Sequence, residues 1–196
     1  MLVALLVMTS LPLTDPLIDL QVLIPDAVLD IRYATKHNLT GRSLYPFPAA
    51  FLRRSAAEKL AKAAADLRLK TLRLVIYDAY RPLSVQKALW AAKPDARWVA
   101  DPAKGSSHNR ACAVDLGLAD AAGKALVMPS EFDEFGPRSR HGAAHVPARA
   151  RRNAQMLKAA MESAGFESLI DEWWHYRDSG AKSWPILDIP FEKVPR

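Results

Sequence analysis

The sequence predicts an α+β domain in which a mainly antiparallel central sheet is flanked by helices, and three observations carry that expectation. Runs with a period of two and runs with a helical period both occur along the chain. The two kinds do not alternate as regular βαβ units, and no internal repeat divides the sequence. A length of 196 residues suits one core. Residues 21–196 are therefore read as a single domain, with residues 1–20 as a separate N-terminal segment.

The first strand is expected in "AVLDIRYAT" (residues 27–35), where Leu29, Ile31 and Tyr33 share one face and Asp30 and Arg32 the other. "NLTGRSLYPFP" then reads as a loop. Ser55 with Glu58 three residues on has the form of a capping box, and Leu60, Ala64 and Leu67 continue it as an apolar helical stripe. "TLRLVIYDAYRP" (residues 71–82) is an apolar, β-branched run that becomes polar at Asp78 and closes at Pro82, the pattern of a buried strand with a polar exit. "SVQKALWAAK" follows as a short helix, and residues 94–105 as a loop. In "SSHNRACAVDLGL" the second half sets Ala113, Asp115 and Gly117 against Val114, Leu116 and Leu118, again a strand. Pro147 opens a helix striped by Met156, Leu157, Ala160, Met161 and Ala164, and Gly165 is placed to end it.

Composition narrows the functional classes. Half of the residues are hydrophobic and 24% are charged, the balance of a globular protein. The net charge of +6 allows an anionic neighbour. The densest basic stretch, "GPRSRHGAAHVPARARRN", carries no interleaved aromatic residues for base stacking, so no nucleic-acid partner is expected. Cys112 is the single cysteine, which excludes an intrachain disulfide and a cysteine-rich zinc site. Any metal must be held by histidine and carboxylate. The start, "MLVALLVMTSLPL", is too short to span a bilayer and lacks a basic n-region; it reads equally as a degenerate export signal and as a buried first segment, which leaves localisation open.

Five histidines occur, and each needs company before it counts as a ligand: His37, His108, His141, His145 and His175. His108 has Asp115 seven residues on, inside an otherwise apolar strand. A buried carboxylate needs a cation or donors, so Asp115 either shares a metal with His108 or pairs with an arginine such as Arg110. The second pair is Glu172 and His175 in "DEWWHY". Three residues apart they face opposite sides of a flat strand, but they converge in a turn or bend, which is the relation a general-base glutamate and a ligand histidine need. The competing reading is an aromatic core plug with polar groups at its rim.

Taken together, "IRYAT…NLTGRSLY", "YDAYRP", "SSHNRACAVD", "FDEFGPRSRH", "RRNAQMLKAAMESAGF" and "EWWHY", in that order from about Tyr33 to the tail, resemble the zinc-dependent D-alanyl-D-alanine dipeptidases of the vancomycin-resistance type. That family is related to D,D-carboxypeptidases and to the Hedgehog fold. The resemblance implies one zinc ion held by His108, Asp115 and His175, with Glu172 as the catalytic base and Arg81 stabilising the transition state. It implies that Asp133 receives the ammonium of the dipeptide, and that Ser106, Asp78, Tyr33 and Tyr45 line or support the pocket. The implied partner is a small dipeptide, D-Ala-D-Ala, in a bacterial envelope if the first segment is an export signal and otherwise in the cytoplasm. Two departures stand out: the family usually has glycine where this chain has Ala111, and a Met-Gly pair where it reads Met128-Pro129. A D,D- or L,D-carboxypeptidase and a non-catalytic zinc-binding protein are the alternatives.

Overall fold

The computed structural model of the chain describes residues 15–194, so the apolar start and the choice between signal and first segment lie outside the described residues. In chain order the regular elements are β1 (Leu17–Asp19), α1 (Leu20–Leu23), β2 (Val28–Leu29), β3 (Phe51–Arg53), α2 (Arg54–Arg68), β4 (Leu72–Asp78), α3 (Leu83–Ala92), β5 (Ala113–Asp120), α4 (Ala148–Ser163), β6 (Phe166–Leu169) and β7 (Glu172–Asp178). Five strands form one sheet in the order β2-β4-β5-β7-β6, and only the β2–β4 pairing is parallel. The small strands β1 and β3 pair separately and antiparallel. This is the α+β architecture the periodicity predicts.

The helices cover the sheet because their apolar stripes match its apolar rows. Leu60, Ala64 and Leu67 of α2 are buried where that helix meets β4, and Leu157, Ala160 and Met161 of α4 are buried where it meets β5, β6 and β7. Each large apolar side chain so removed from water stabilises the fold by roughly 1.5–3 kcal/mol. Gly165 follows α4 at φ +93, a backbone state open to glycine. No helix among the described residues is long and apolar enough to cross a membrane.

Two local expectations are corrected. The strand expected over residues 27–35 is only β2: after the Asp30 N–H reaches the Ile76 carbonyl at 3.0 Å the chain leaves the sheet edge and coils into a 3-10 turn at Arg32–Ala34. Ile31 and Tyr33 are both buried there, so alternating apolar residues report burial in a turn as well as in a strand. Ser55 does not cap α2, because it is already inside the helix. Its hydroxyl donates to Asp15 at 2.6 Å and its N–H to the same carboxylate at 3.1 Å, so a residue distant in sequence meets the helix N-terminus.

Candidate active site

The site lies across the middle of the sheet, where β5 and β7 pair. The turn His108–Arg110 precedes β5, and the Ala111 N–H closes it onto the His108 carbonyl at 3.0 Å. Ala111 sits there at φ 56 in the left-handed region, a strained state for a residue with a Cβ. His108 is 3% exposed, and its Nδ1 faces the Ala79 carbonyl at 2.7 Å, which assigns the ring proton to Nδ1 and leaves the Nε2 lone pair free.

Asp115 on β5 is the register partner of His175 on β7. The three candidate ligand atoms close into a triangle: His108 Nε2 to His175 Nδ1 3.1 Å, His175 Nδ1 to Asp115 Oδ1 3.0 Å, and His108 Nε2 to Asp115 Oδ1 3.4 Å. Ligand atoms at about 2.0–2.1 Å from a tetrahedral zinc lie roughly 3.3 Å from one another. The donor set therefore fits such an ion, and it is the group among the described residues able to hold a metal. Against the cost of burial, the imidazoles of His108 and His175 hold the Asp115 carboxyl well below the usual carboxylate range. Arg110, the other candidate partner of Asp115, turns away and donates to the Trp184 carbonyl.

Glu172 and His175 meet through a bulge. Ser168 pairs with Tyr176 but Leu169 pairs with Glu172, so one step along β6 answers to four along β7. The extra residues of β7 bow out of the ladder, and Glu172 Oε2 comes to 3.9 Å from His175 Nδ1. The expected convergence is present, made by a bulged strand and not by a helical bend. Trp173 and Trp174 are 0% and 1% exposed and cross edge to face at 5.4 Å, with the Trp173 indole N–H donating to Ser130. Burial pushes the Glu172 carboxyl up to about 7; the neighbouring His175 opposes the rise, and the charges of Asp115 and Asp133 add to it.

A cavity of about 500 Å³ opens over this group, and its walls include Tyr33, Arg81, Ser106, Asp133, Glu172 and Trp174. Asp133 stands at φ 60, and the Tyr33 hydroxyl donates to its Oδ2 at 2.8 Å. Burial raises its carboxyl to about 7, with the charge of Asp115 adding to the effect. Ser106 lines the cavity and donates to Asn109 Oδ1 at 3.0 Å. Asp78 and Tyr45, expected among the residues that line or support the pocket, stand behind the wall and not in it. Asp78 is 0% exposed, takes the Tyr45 hydroxyl on Oδ1 at 2.6 Å and takes Arg81 on Oδ2, with Nε at 3.0 Å and Nη2 at 2.7 Å. Both therefore act on the guanidinium and not on a ligand. Arg81 lies over the Tyr33 ring at 4.9 Å, and its Nη2 is 3.9 Å from Asp115 Oδ2.

Sequence reasoning missed several participants. Gln86 on α3 is 0% exposed, accepts from Arg81 Nη1 at 2.9 Å and donates to the Ala100 carbonyl at 2.7 Å. Its spacing of three from buried Leu89 put a polar side chain on the apolar stripe of α3, a signal that was there to read. Trp98 and Phe135, ring centroids 5.0 Å apart, close the wall between two loops, and nothing in their local sequence marks that contact.

With this geometry in view, comparison with known proteins places the chain. A family model described as D-ala-D-ala dipeptidase matches residues 14–195. The chain belongs to that family. A D-alanyl-D-alanine dipeptidase of Escherichia coli is 41% identical over 178 residues, covering 91% of this chain and 92% of its own. One of Enterococcus faecalis is 31% identical over 183 residues, 83% of this chain and 87% of its own. A solved vancomycin-resistance D,D-pentapeptidase in complex with Zn(II) superposes on 68% of this chain and 75% of its own, with a TM-score of 0.42 and 17% identity, too loose a likeness to bear on the site.

Proposed function

We propose that the protein is a zinc-dependent dipeptidase that hydrolyses D-Ala-D-Ala to two D-alanines. The observation that carries this reading is that His108, Asp115 and His175 form a metal-capable triangle in the cavity that also holds Glu172, Arg81 and Asp133, in a chain of the dipeptidase family. Those three residues would hold a zinc ion, which when bound would supply Lewis-acid chemistry for a scissile carbonyl and for the acidity of water near neutral pH.

The chain's own groups divide the remaining work. Glu172 takes the proton of the attacking water as oxygen adds to the carbonyl carbon, and hands it to the nitrogen as the C–N bond breaks; such proton transfer is typically worth about 10² to 10⁴ in rate. A carboxyl raised by burial suits both halves of that exchange. Arg81 faces the charge that develops on the carbonyl oxygen, and buried Asp78 anchors the guanidinium at one carboxylate oxygen, Oδ2. Asp133 receives the substrate ammonium on the oxygen that Tyr33 leaves free. An N-acylated wall peptide has no ammonium to offer there, so the same group selects the free dipeptide.

The test is a substrate panel on metal-loaded protein. D-Ala-D-Ala is expected to turn over far faster than its N-acetyl form, and Glu172→Ala to keep stoichiometric metal while losing roughly 10²-fold or more in kcat. Preference for the acetylated substrate would instead make the protein a carboxypeptidase of wall stem peptides. Bound metal without turnover of any D,D-dipeptide would make it a binding protein.

A further inference from the structure

We infer that Gln86 is a positioning residue for catalysis, acting through Arg81 to aim the guanidinium at the reacting carbonyl. The inference deepens the reading above and rests on the role given there to Arg81. Its ground is the way the guanidinium is held. Nε and Nη2 both donate to Asp78, but to the same atom, Oδ2, because Oδ1 is occupied by the Tyr45 hydroxyl. Two bonds converging on one oxygen fix a point, and a planar group held at one point can still swivel in its plane. The Tyr33 ring, 4.9 Å beneath, restrains tilt but not that swivel. The Gln86 carbonyl oxygen, 2.9 Å from Nη1, is the second point that stops it.

Donor counting shows what is left for the substrate. A guanidinium has five N–H groups; Asp78 takes two and Gln86 one, which leaves one on each terminal nitrogen. Nη2 is 3.9 Å from Asp115 Oδ2, outside hydrogen-bond range but beside the metal-capable triangle, and Arg81 lines the cavity. The free donors therefore stand where a carbonyl oxygen would be polarised.

The amide is suited to this task where other side chains are not. Its NH₂ faces the Ala100 carbonyl at 2.7 Å, so the group cannot flip without setting donor against donor and acceptor against acceptor. As a neutral acceptor it holds Arg81 without adding a second carboxylate to the one that already pairs with the guanidinium. Through Ala100, itself part of the cavity wall, it also ties Arg81 to the loop that carries Trp98.

The experiment is a double-mutant cycle on metal-loaded protein with Gln86→Met, which keeps length and volume but offers no carbonyl acceptor. In the parent, Gln86→Met is expected to lower kcat on D-Ala-D-Ala roughly 10- to 100-fold with KM nearly constant. Metal content should not change. Affinity for a dipeptide analogue bearing a phosphinate in place of the scissile amide, measured by calorimetry, should fall in parallel with kcat. In an Arg81→Ala background the same substitution should cost nothing further. Equal losses in the two backgrounds, or a rise in KM without loss of kcat, would overturn the inference and make Gln86 a packing residue. Gln86→Glu, which retains an acceptor for Nη1, should recover part of the loss. If the methionine variant does not fold, the cycle with Gln86→Glu, expected to lose a few-fold in the parent alone, decides in the same way. A full rate in Arg81→Ala itself would bring down the role of Arg81, a failure distinct from that of Gln86.

Discussion

The two sides of the cavity are built differently. On the sheet side, Asp115 and His175 are register partners on adjacent strands, His108 is locked to the Ala79 carbonyl, and Arg81 is held by Asp78 and Gln86. Each of these side chains is restrained by buried groups that are themselves satisfied. On the loop side, Asp133 stands on irregular backbone at φ 60, held by the Tyr33 hydroxyl. On the proposed reading the reacting end of the substrate would meet a preorganised scaffold, and its ammonium end a loop whose geometry a few substitutions can alter.

The largest effect should come from breaking the sheet side. His175→Ala removes one corner of the ligand triangle, and the protein is expected to lose both bound metal and all measurable turnover; full metal content by elemental analysis would contradict the ligand role. On the loop side the loss should be partial and selective. Asp133→Asn keeps size and tolerance of the left-handed backbone but removes the charge, so KM for D-Ala-D-Ala should rise roughly 10- to 100-fold, the scale of a charge-assisted hydrogen bond. N-acetyl-D-Ala-D-Ala should be affected much less, and equal losses on both substrates would show that Asp133 is structural.

Acid should loosen the loop side. His141, in the same loop as Asp133, is half-buried against Tyr176, and burial lowers its pKa from 6.5 to about 4, with Lys158 adding to the effect. A histidine kept neutral in the fold binds its proton more readily when unfolded. Its contribution to stability is therefore present above about 6.5 and is lost as pH falls toward about 4. Thermal melts over that window should show a steeper decline in the parent than in His141→Phe, and parallel curves would refute the assignment. The smallest effect belongs to the ligand turn. Ala111→Gly removes the left-handed strain at φ 56 and should raise stability by about 1 kcal/mol, read as a Tm increase of a few degrees. An unchanged or lower Tm would mean that the methyl packing outweighs the strain.

Much of this site was legible before folding, for identifiable reasons. Asp115 was conspicuous because an ionisable residue in an apolar strand demands a partner, and Asp78 because it ends one. Their companions were less visible. The convergence of Glu172 with His175 depends on a bulge that β6 imposes on β7, and a bulge is a property of two strands, not of one. The capping-box pattern at Ser55 pointed to a local partner, whereas the helix start is met by Asp15, a contact that exists only after β1 and β3 pair.

The sequence by itself determined the α+β class and the family, and it picked out candidate residues that the fold gathers around one cavity, because periodicity, isolated charges in apolar runs and ordered motifs are all one-dimensional signals. Tertiary structure alone decided that Asp115 faces two imidazoles and not Arg110, that Asp78 takes both Tyr45 and Arg81 behind the cavity wall, and that Gln86 accepts from Arg81. Those outcomes depend on which buried donor finds which acceptor across strands and loops far apart in the chain, and hydrogen-bond satisfaction in a closed core is settled only when all the partners are in place.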